Sequence, residues 1–127
     1  MVLLNKRIFK GAAAVIMILS ITAAATNSYL VNQENKREIV QLEKNDQKIL
    51  FFYRDDCPDC KRVFKQVYLL GSIKGEPITI NLNQEKNRKY ISAYNIDQVP
   101  TIIQKNEEKR YEGSSEIQKY LDKNSFF

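Results

Sequence analysis

A chain of 127 residues, 43% hydrophobic and 28% charged, has room for one ordinary globular domain and a short extra segment. Its net charge of +5 does not point to nucleic acid: without Lys6, Arg7 and Lys10, 17 bases face 15 acids and interleave with them, as in Glu107-Glu108-Lys109-Arg110. The lack of histidine excludes Ser/His/Asp and Cys/His catalysis and most zinc sites, leaving Cys57 and Cys60 as the place for chemistry.

The N-terminal segment comes first. Lys6-Arg7-Ile8-Phe9-Lys10 is basic, and the uncharged run that follows extends from Gly11 to Val31, 21 residues. Roughly 20 suffice to span a bilayer as a helix. The basic flank stays inside, which sends everything after residue 31 outside. A cleaved signal peptide would use Ala23-Ala24-Ala25 as its small-residue exit. An uncleaved anchor would use the whole run, with Tyr29 at the outer interface, and the length of the run favours the anchor. A lipid-anchored lipoprotein is excluded, because no cysteine lies near that exit. The expected location is the plasma membrane, single-pass with the domain outside, or secretion after cleavage.

The expected division is a signal or anchor segment over 1–31, a linker and first helix over 32–46, and the folded domain over 47–127. Asn32 to Asp46 is polar and rich in helix formers, with Ile39, Val40 and Leu42 as its apolar group. Ile49-Leu50-Phe51-Phe52-Tyr53 is a continuous apolar run that suits a central strand covered on both faces. After Arg54-Asp55-Asp56-Cys57-Pro58-Asp59-Cys60, the spacing of Cys60, Val63, Phe64, Val67 and Leu70 predicts a helix, ended by Gly71 and Gly75. Ile78, Ile80 and Leu82 alternate as a second strand, and Tyr90, Ile91 and Tyr94 mark a short helix. Val99-Pro100-Thr101 opens a strand to Gln104, Asn106 to Glu108 turns, and Lys109 to Glu112 returns antiparallel. Gly113 breaks the chain, Ser115 and Gln118 can form a capping box, and the last helix packs through Ile117, Tyr120 and Leu121. Ser125-Phe126-Phe127 is left open between docking and fraying. Strands alternating with helices imply parallel pairing, and the closing hairpin makes the sheet mixed. The fold class is α/β.

Cys57 and Cys60 form a Cys-x-x-Cys between a hydrophobic strand and a helix. Pro58 fits the first helical position, which makes Cys57 the cap. Its thiol then lies at the positive helix end, where the attacking thiolate is stabilised. Cys60, one turn on and more buried, can resolve a mixed disulfide. A zinc half-site would need two further ligands that the chain does not supply. A purely structural disulfide would close a loop of four residues and gain little chain entropy. A coincidental reduced pair suits an exported protein poorly. Lys61 and Arg62 favour the Cys57 thiolate and Asp55, Asp56 and Asp59 oppose it, with Pro58, Asp59 and Asp56 as the candidate tuning residues; a blander reading has Asp59 favour the helix start while Asp55 and Asp56 solubilise the loop.

Residues 49 to 122 resemble the thioredoxin family through Phe51-Phe52-Tyr53, Cys57-Pro58-Asp59-Cys60, Asn81-Leu82-Asn83-Gln84 and Tyr94-Asn95-Ile96-Asp97-Gln98-Val99-Pro100-Thr101. The resemblance implies a mixed sheet of about four strands flanked by helices. It implies a cis peptide at Pro100, with Val99 offering backbone groups to an extended substrate, and a matching role for Gly113. It implies no cofactor beyond the dithiol. The chain departs from the family's Trp-Cys-Gly-Pro-Cys, carries Phe51 where an acid is buried six residues before the first cysteine, and lacks the insertion of the periplasmic oxidases and an evident extra first strand.

The expected function is an extracytoplasmic thiol–disulfide oxidoreductase, with Cys57 as nucleophile, Cys60 as resolving thiol, and Val99 and Pro100 shaping the substrate groove. Small anchored proteins of this build resemble bacteriocin accessory factors. Expected partners are protein or peptide thiols and disulfides, a membrane electron carrier and the membrane itself, with a monomeric chain and no nucleic acid. The alternative is a non-catalytic subunit of this fold in a secretion or conjugation complex.

Overall fold

The computed structural model describes residues 1–44, 48–74 and 77–124. It divides into two compact units, Met1–Gln33 and Glu34–Phe127. The first consists of most of one helix, α1 (Val2–Asn35). At about 1.5 Å per residue α1 is roughly 50 Å long, and its most apolar 18-residue window has a mean hydropathy of 2.0 with none of it buried. By length and composition it can cross a membrane. Three of its hydroxyls are turned back on its own backbone: Ser20 donates to the carbonyl of Ile16, Thr22 to that of Leu19 and Thr26 to that of Thr22. The apolar run therefore leaves those groups satisfied without water.

The second unit contains β1 (Ile49–Tyr53), α2 (Pro58–Lys74), β2 (Ile78–Asn81), α3 (Lys89–Ala93), β3 (Thr101–Gln104), β4 (Lys109–Glu112) and α4 (Gly113–Asn124). The sheet order is β2-β1-β3-β4, with β1 parallel to β2 and antiparallel to β3. β3 and β4 form the expected hairpin. β1 is central and its last four residues are buried, as its unbroken apolar run requires. Its side chains divide by the two-residue period: Ile49, Phe51 and Tyr53 face one cluster, Leu50 and Phe52 the other. On the first face lie Cys60, Val63, Phe64 and Val67 of α2 with Ile117, Tyr120 and Leu121 of α4.

Several expectations need correction. β3 runs antiparallel to β1, not parallel, because α3 is only five residues long and does not carry the chain back along the sheet. β3 therefore starts at the end where β2 finishes, with Thr101 and Asn81 opposite the adjacent residues Phe52 and Tyr53. No helix starts between residues 36 and 44; α1 ends at Asn35 and an irregular strap follows. Val40 and Leu42, two apart, pack on the Leu50–Phe52 face as extended chain does, whereas Ile39 is exposed.

The strap's backbone is satisfied by side chains. Asn81 and Gln84 donate to the carbonyls of Lys36 and Arg37 at 3.0 and 2.7 Å. Asn87 donates to the carbonyl of Glu38 and accepts from the amide of Val40, at 2.8 and 2.9 Å. The Tyr90 hydroxyl donates to the carbonyl of Val40 and accepts from the amide of Leu42.

Gly71 lies inside α2 and does not end it; Gly75, like Ser125-Phe126-Phe127, is outside the described residues. A Cβ at Gly71 would stand 1.9 Å from Cδ of Pro77, so glycine is needed there to let the returning chain pack against the helix. α4 starts at Gly113, two residues before Ser115, and the expected capping box gives way to a bond from the Glu112 amide to the Glu116 carboxylate at 2.8 Å.

Candidate active site

The loop from Arg54 to Cys57 joins the end of β1 to the first turn of α2. The Cys57 amide donates to the carbonyl of Arg54 at 3.2 Å, and the Cys57 carbonyl accepts from the amide of Lys61 at 3.1 Å. The Cys57 sulfur accepts the backbone N–H of Cys60 at 3.3 Å. This is the bond by which a serine or aspartate oxygen caps a helix, with sulfur in its place. Pro58 occupies the first helical position, where its missing N–H costs nothing. A donor thus points at the sulfur that carries the negative charge when Cys57 is the attacking thiolate. Cys57 is partly exposed; Cys60 is 1% exposed and packs in the cluster with Phe51, Val63 and Phe64. Burial, and then the hydrogen bond with Cys57, push the Cys60 thiol well up. The two sulfurs are chemically unequal, the outer one accessible and the inner one held as a thiol.

The turn before β3 carries the other residues that the sequence singles out. The Val99–Pro100 peptide is cis, as the sequence resemblance implies. Pro100 is buried and its carbonyl accepts from the Gly113 amide at 2.8 Å, while the Thr101 hydroxyl donates to the carbonyl of Gln98 at 2.8 Å. Gly113 has φ +80°, a left-handed conformation that other L residues enter with strain, so its glycine lets β4 turn into α4 beside the Pro100 loop. Val99 packs against the cluster that also holds Cys57 and against the opposite one. Among the described residues its backbone N–H and C=O take no hydrogen bond. Beside it opens a cleft of about 280 Å³ lined by Arg54, Leu82, Asn83, Arg88, Ile91 and Val99, among others.

The thioredoxin family model matches residues 27–123. The chain belongs to the thioredoxin family. Among solved structures it is similar to the thioredoxin of Fasciola hepatica, at 17% identity and a TM-score of 0.47, over 80% of this chain and 94% of that one. Thioredoxins use no cofactor beyond their cysteine pair.

Within that family frame the acidic loop is distinctive. Where thioredoxins bury an acid, Phe51 is wholly buried and stacks on Tyr53 at 5.4 Å. Asp59 pairs with Arg62 at 3.3 Å on the exposed side of α2, and its charge adds to the upward pressure on Cys60. Asp56 accepts from Asn83 and Arg54, both at 2.9 Å, and is held below the usual carboxylate range by them. Asp55, which the sequence offers either as a charge opposing the Cys57 thiolate or as a solubilising loop residue, is only 10% exposed at its side chain. Burial works to raise it, but hydrogen bonds from Arg37 and Asn83 prevail and hold it low. Sequence reasoning missed Arg37 altogether and used Asn83 only within the Asn81-Leu82-Asn83-Gln84 stretch of the family resemblance. Nothing in the spacing of Arg37 and Asp55, 18 positions apart, could have joined them.

Proposed function

We propose that the chain is an extracytoplasmic thiol–disulfide oxidoreductase acting on secreted or cell-surface proteins or peptides. The observation that carries the reading is the Cys57 sulfur capping α2, accessible and backed by a buried Cys60 thiol. In the reductive direction, the Cys57 thiolate attacks one sulfur of a substrate disulfide. A mixed disulfide forms, and the other substrate sulfur leaves as a thiolate that takes up a proton. Cys60, losing its proton, then attacks Sγ of Cys57, closes the internal disulfide and releases the first substrate sulfur as a thiol. Two electrons pass to the substrate. The oxidative direction is the same sequence reversed, with the substrate dithiol reduced at the start and disulfide-bonded at the end.

Val99 and Pro100 would shape a groove for extended substrate, a reading supported by the backbone groups of Val99, which take no hydrogen bond among the described residues. The apolar run of α1 and its basic flank support anchoring in the plasma membrane with the domain outside. A monomer would exchange electrons with a membrane carrier, and bacteriocin-type secreted peptides are one substrate class that fits this build. Cys60→Ala should accumulate mixed disulfides through Cys57 in cells, visible as reducible high-mass adducts. Cys57→Ser in the same background should abolish them. No adducts with Cys60→Ala, adducts that persist without Cys57, or a wild-type phenotype in Cys57→Ser alone would reject the reading.

A further inference from the structure

The loop that presents Cys57 is tied to the strap that leads into the domain. Arg37 closes a two-pronged bond on Asp55, Nε to Oδ2 at 2.8 Å and Nη2 to Oδ1 at 3.3 Å. The side-chain amide of Asn83 donates to both Asp55 and Asp56. Its oxygen accepts from Nε of Arg54 at 3.0 Å, and its backbone amide donates to Asn81 at 3.0 Å. Asn81 and Gln84 in turn hold the carbonyls of Lys36 and Arg37, so the ring of bonds closes on the strap. A fork on a carboxylate fixes direction as well as distance. Three chain segments far apart in sequence therefore converge on the residues immediately before the nucleophile.

We propose that Arg37, Asp55 and Asn83 are positioning residues for the dithiol. The strap cation neutralises the carboxylate two residues before Cys57, and Asn83 holds the loop against the exit of β2. The strap thereby helps set the reduction potential of the pair. The inference deepens the oxidoreductase reading and rests on it for its biological meaning. Electrostatics sets the sign: a negative charge near a thiolate disfavours it and hence the reduced form of a dithiol, and a positive charge does the reverse. A merely structural clasp would move stability and leave the potential alone.

The test is a redox titration of the full chain in detergent against a dithiothreitol or glutathione couple, read by thiol alkylation and mass. Arg37→Ala, which leaves Asp55 unpaired, should shift the equilibrium about threefold to tenfold toward the disulfide, ~15–30 mV at ~30 mV per tenfold. Asp55→Asn, isosteric and free of the charge, should shift it the opposite way. The double variant should return to within about twofold of the parent, and Arg37→Lys should keep most of the parent value. Equal shifts of the same sign in both single variants, or no shift in folded protein, overturn the proposal. If Arg37→Ala does not fold, Asp55→Asn carries the test alone. The titration needs no substrate, so an unchanged potential sinks this inference only, whereas absence of trapped partners sinks the oxidoreductase reading only.

Discussion

The two faces of the sheet are built by different means. On one, α2 and α4 cover Phe51, Tyr53 and Ile102 with side chains that are nearly all apolar. Phe64 is its hub, with ring centroids 4.9 Å from Tyr53, 6.0 Å from Phe51 and 5.9 Å from Tyr68. On the other, Leu50, Phe52 and Ile80 meet Tyr90, Ile96 and the irregular strap. Helices satisfy their own backbone and need only apolar contact. A strap without regular structure brings unpaired N–H and C=O groups to the surface it covers, and these must be met one by one. Asn87, wholly buried, meets one carbonyl and one amide of the strap as well as the carbonyl of Asn81 in β2. The helical face thus supports Cys60 by packing, while the strap face supports the Cys57 loop by hydrogen bonds.

That contrast is broken most directly by cutting the hub. Phe64→Ala removes a fully buried ring and should cost ~3–5 kcal/mol in denaturant unfolding. It should also loosen Cys60, raising the rate at which an alkylating reagent reaches its thiol. A cost below ~1 kcal/mol would show that the helical face is not the main source of stability. Asn87→Ala strips the strap of a buried partner and should cost less, ~1–3 kcal/mol. Its signature is local: amides of Val40 and Leu42 should lose hydrogen-exchange protection while those of β1 keep theirs. Equal loss in β1 would mean that strap and sheet open as one unit.

The helical face is also the one the sequence reveals. The unbroken apolar run of β1 and the three–four spacing from Cys60 to Leu70 are local signals, and the structure realises both. The cysteine pair and the Val99–Pro100 turn were legible for another reason, because each is a short contiguous motif with a geometric consequence. The strap carried neither kind of signal. Its helix-forming composition from Asn32 to Asp46 suggested a helix, but partners in Asn81, Asn87 and Tyr90 override local propensity. Likewise, the antiparallel placement of β3 depends on how far α3 extends, and the spacing of Tyr90, Ile91 and Tyr94 did not fix that length. The Asp55 clasp was invisible because its partners, Arg37 and Asn83, come from chain segments on either side of it.

The smallest expected effect tests whether the clasp adds stability as well as position. In the folded chain Asp55 is held below the ordinary carboxylate range: burial opposes this, and the bonds from Arg37 and Asn83 outweigh it. A depressed carboxyl contributes stability that is fully present above its unfolded value, ~3.9. That contribution is lost as the pH falls through the lower, folded value. The parent should therefore lose stability on acidification below about pH 5, and Arg37→Ala should lose less over the same interval. Because Arg37 stands in solvent, at 55% side-chain exposure, the difference should be a small fraction of the Phe64 effect and shrink further in high salt. Asp56, held low by Asn83 and Arg54, should keep part of the slope in both proteins. Urea midpoints between pH 3 and 7 provide the check. Parallel curves for parent and variant would mean that the clasp orients the loop without stabilising the fold, which leaves its effect on the dithiol as its sole consequence.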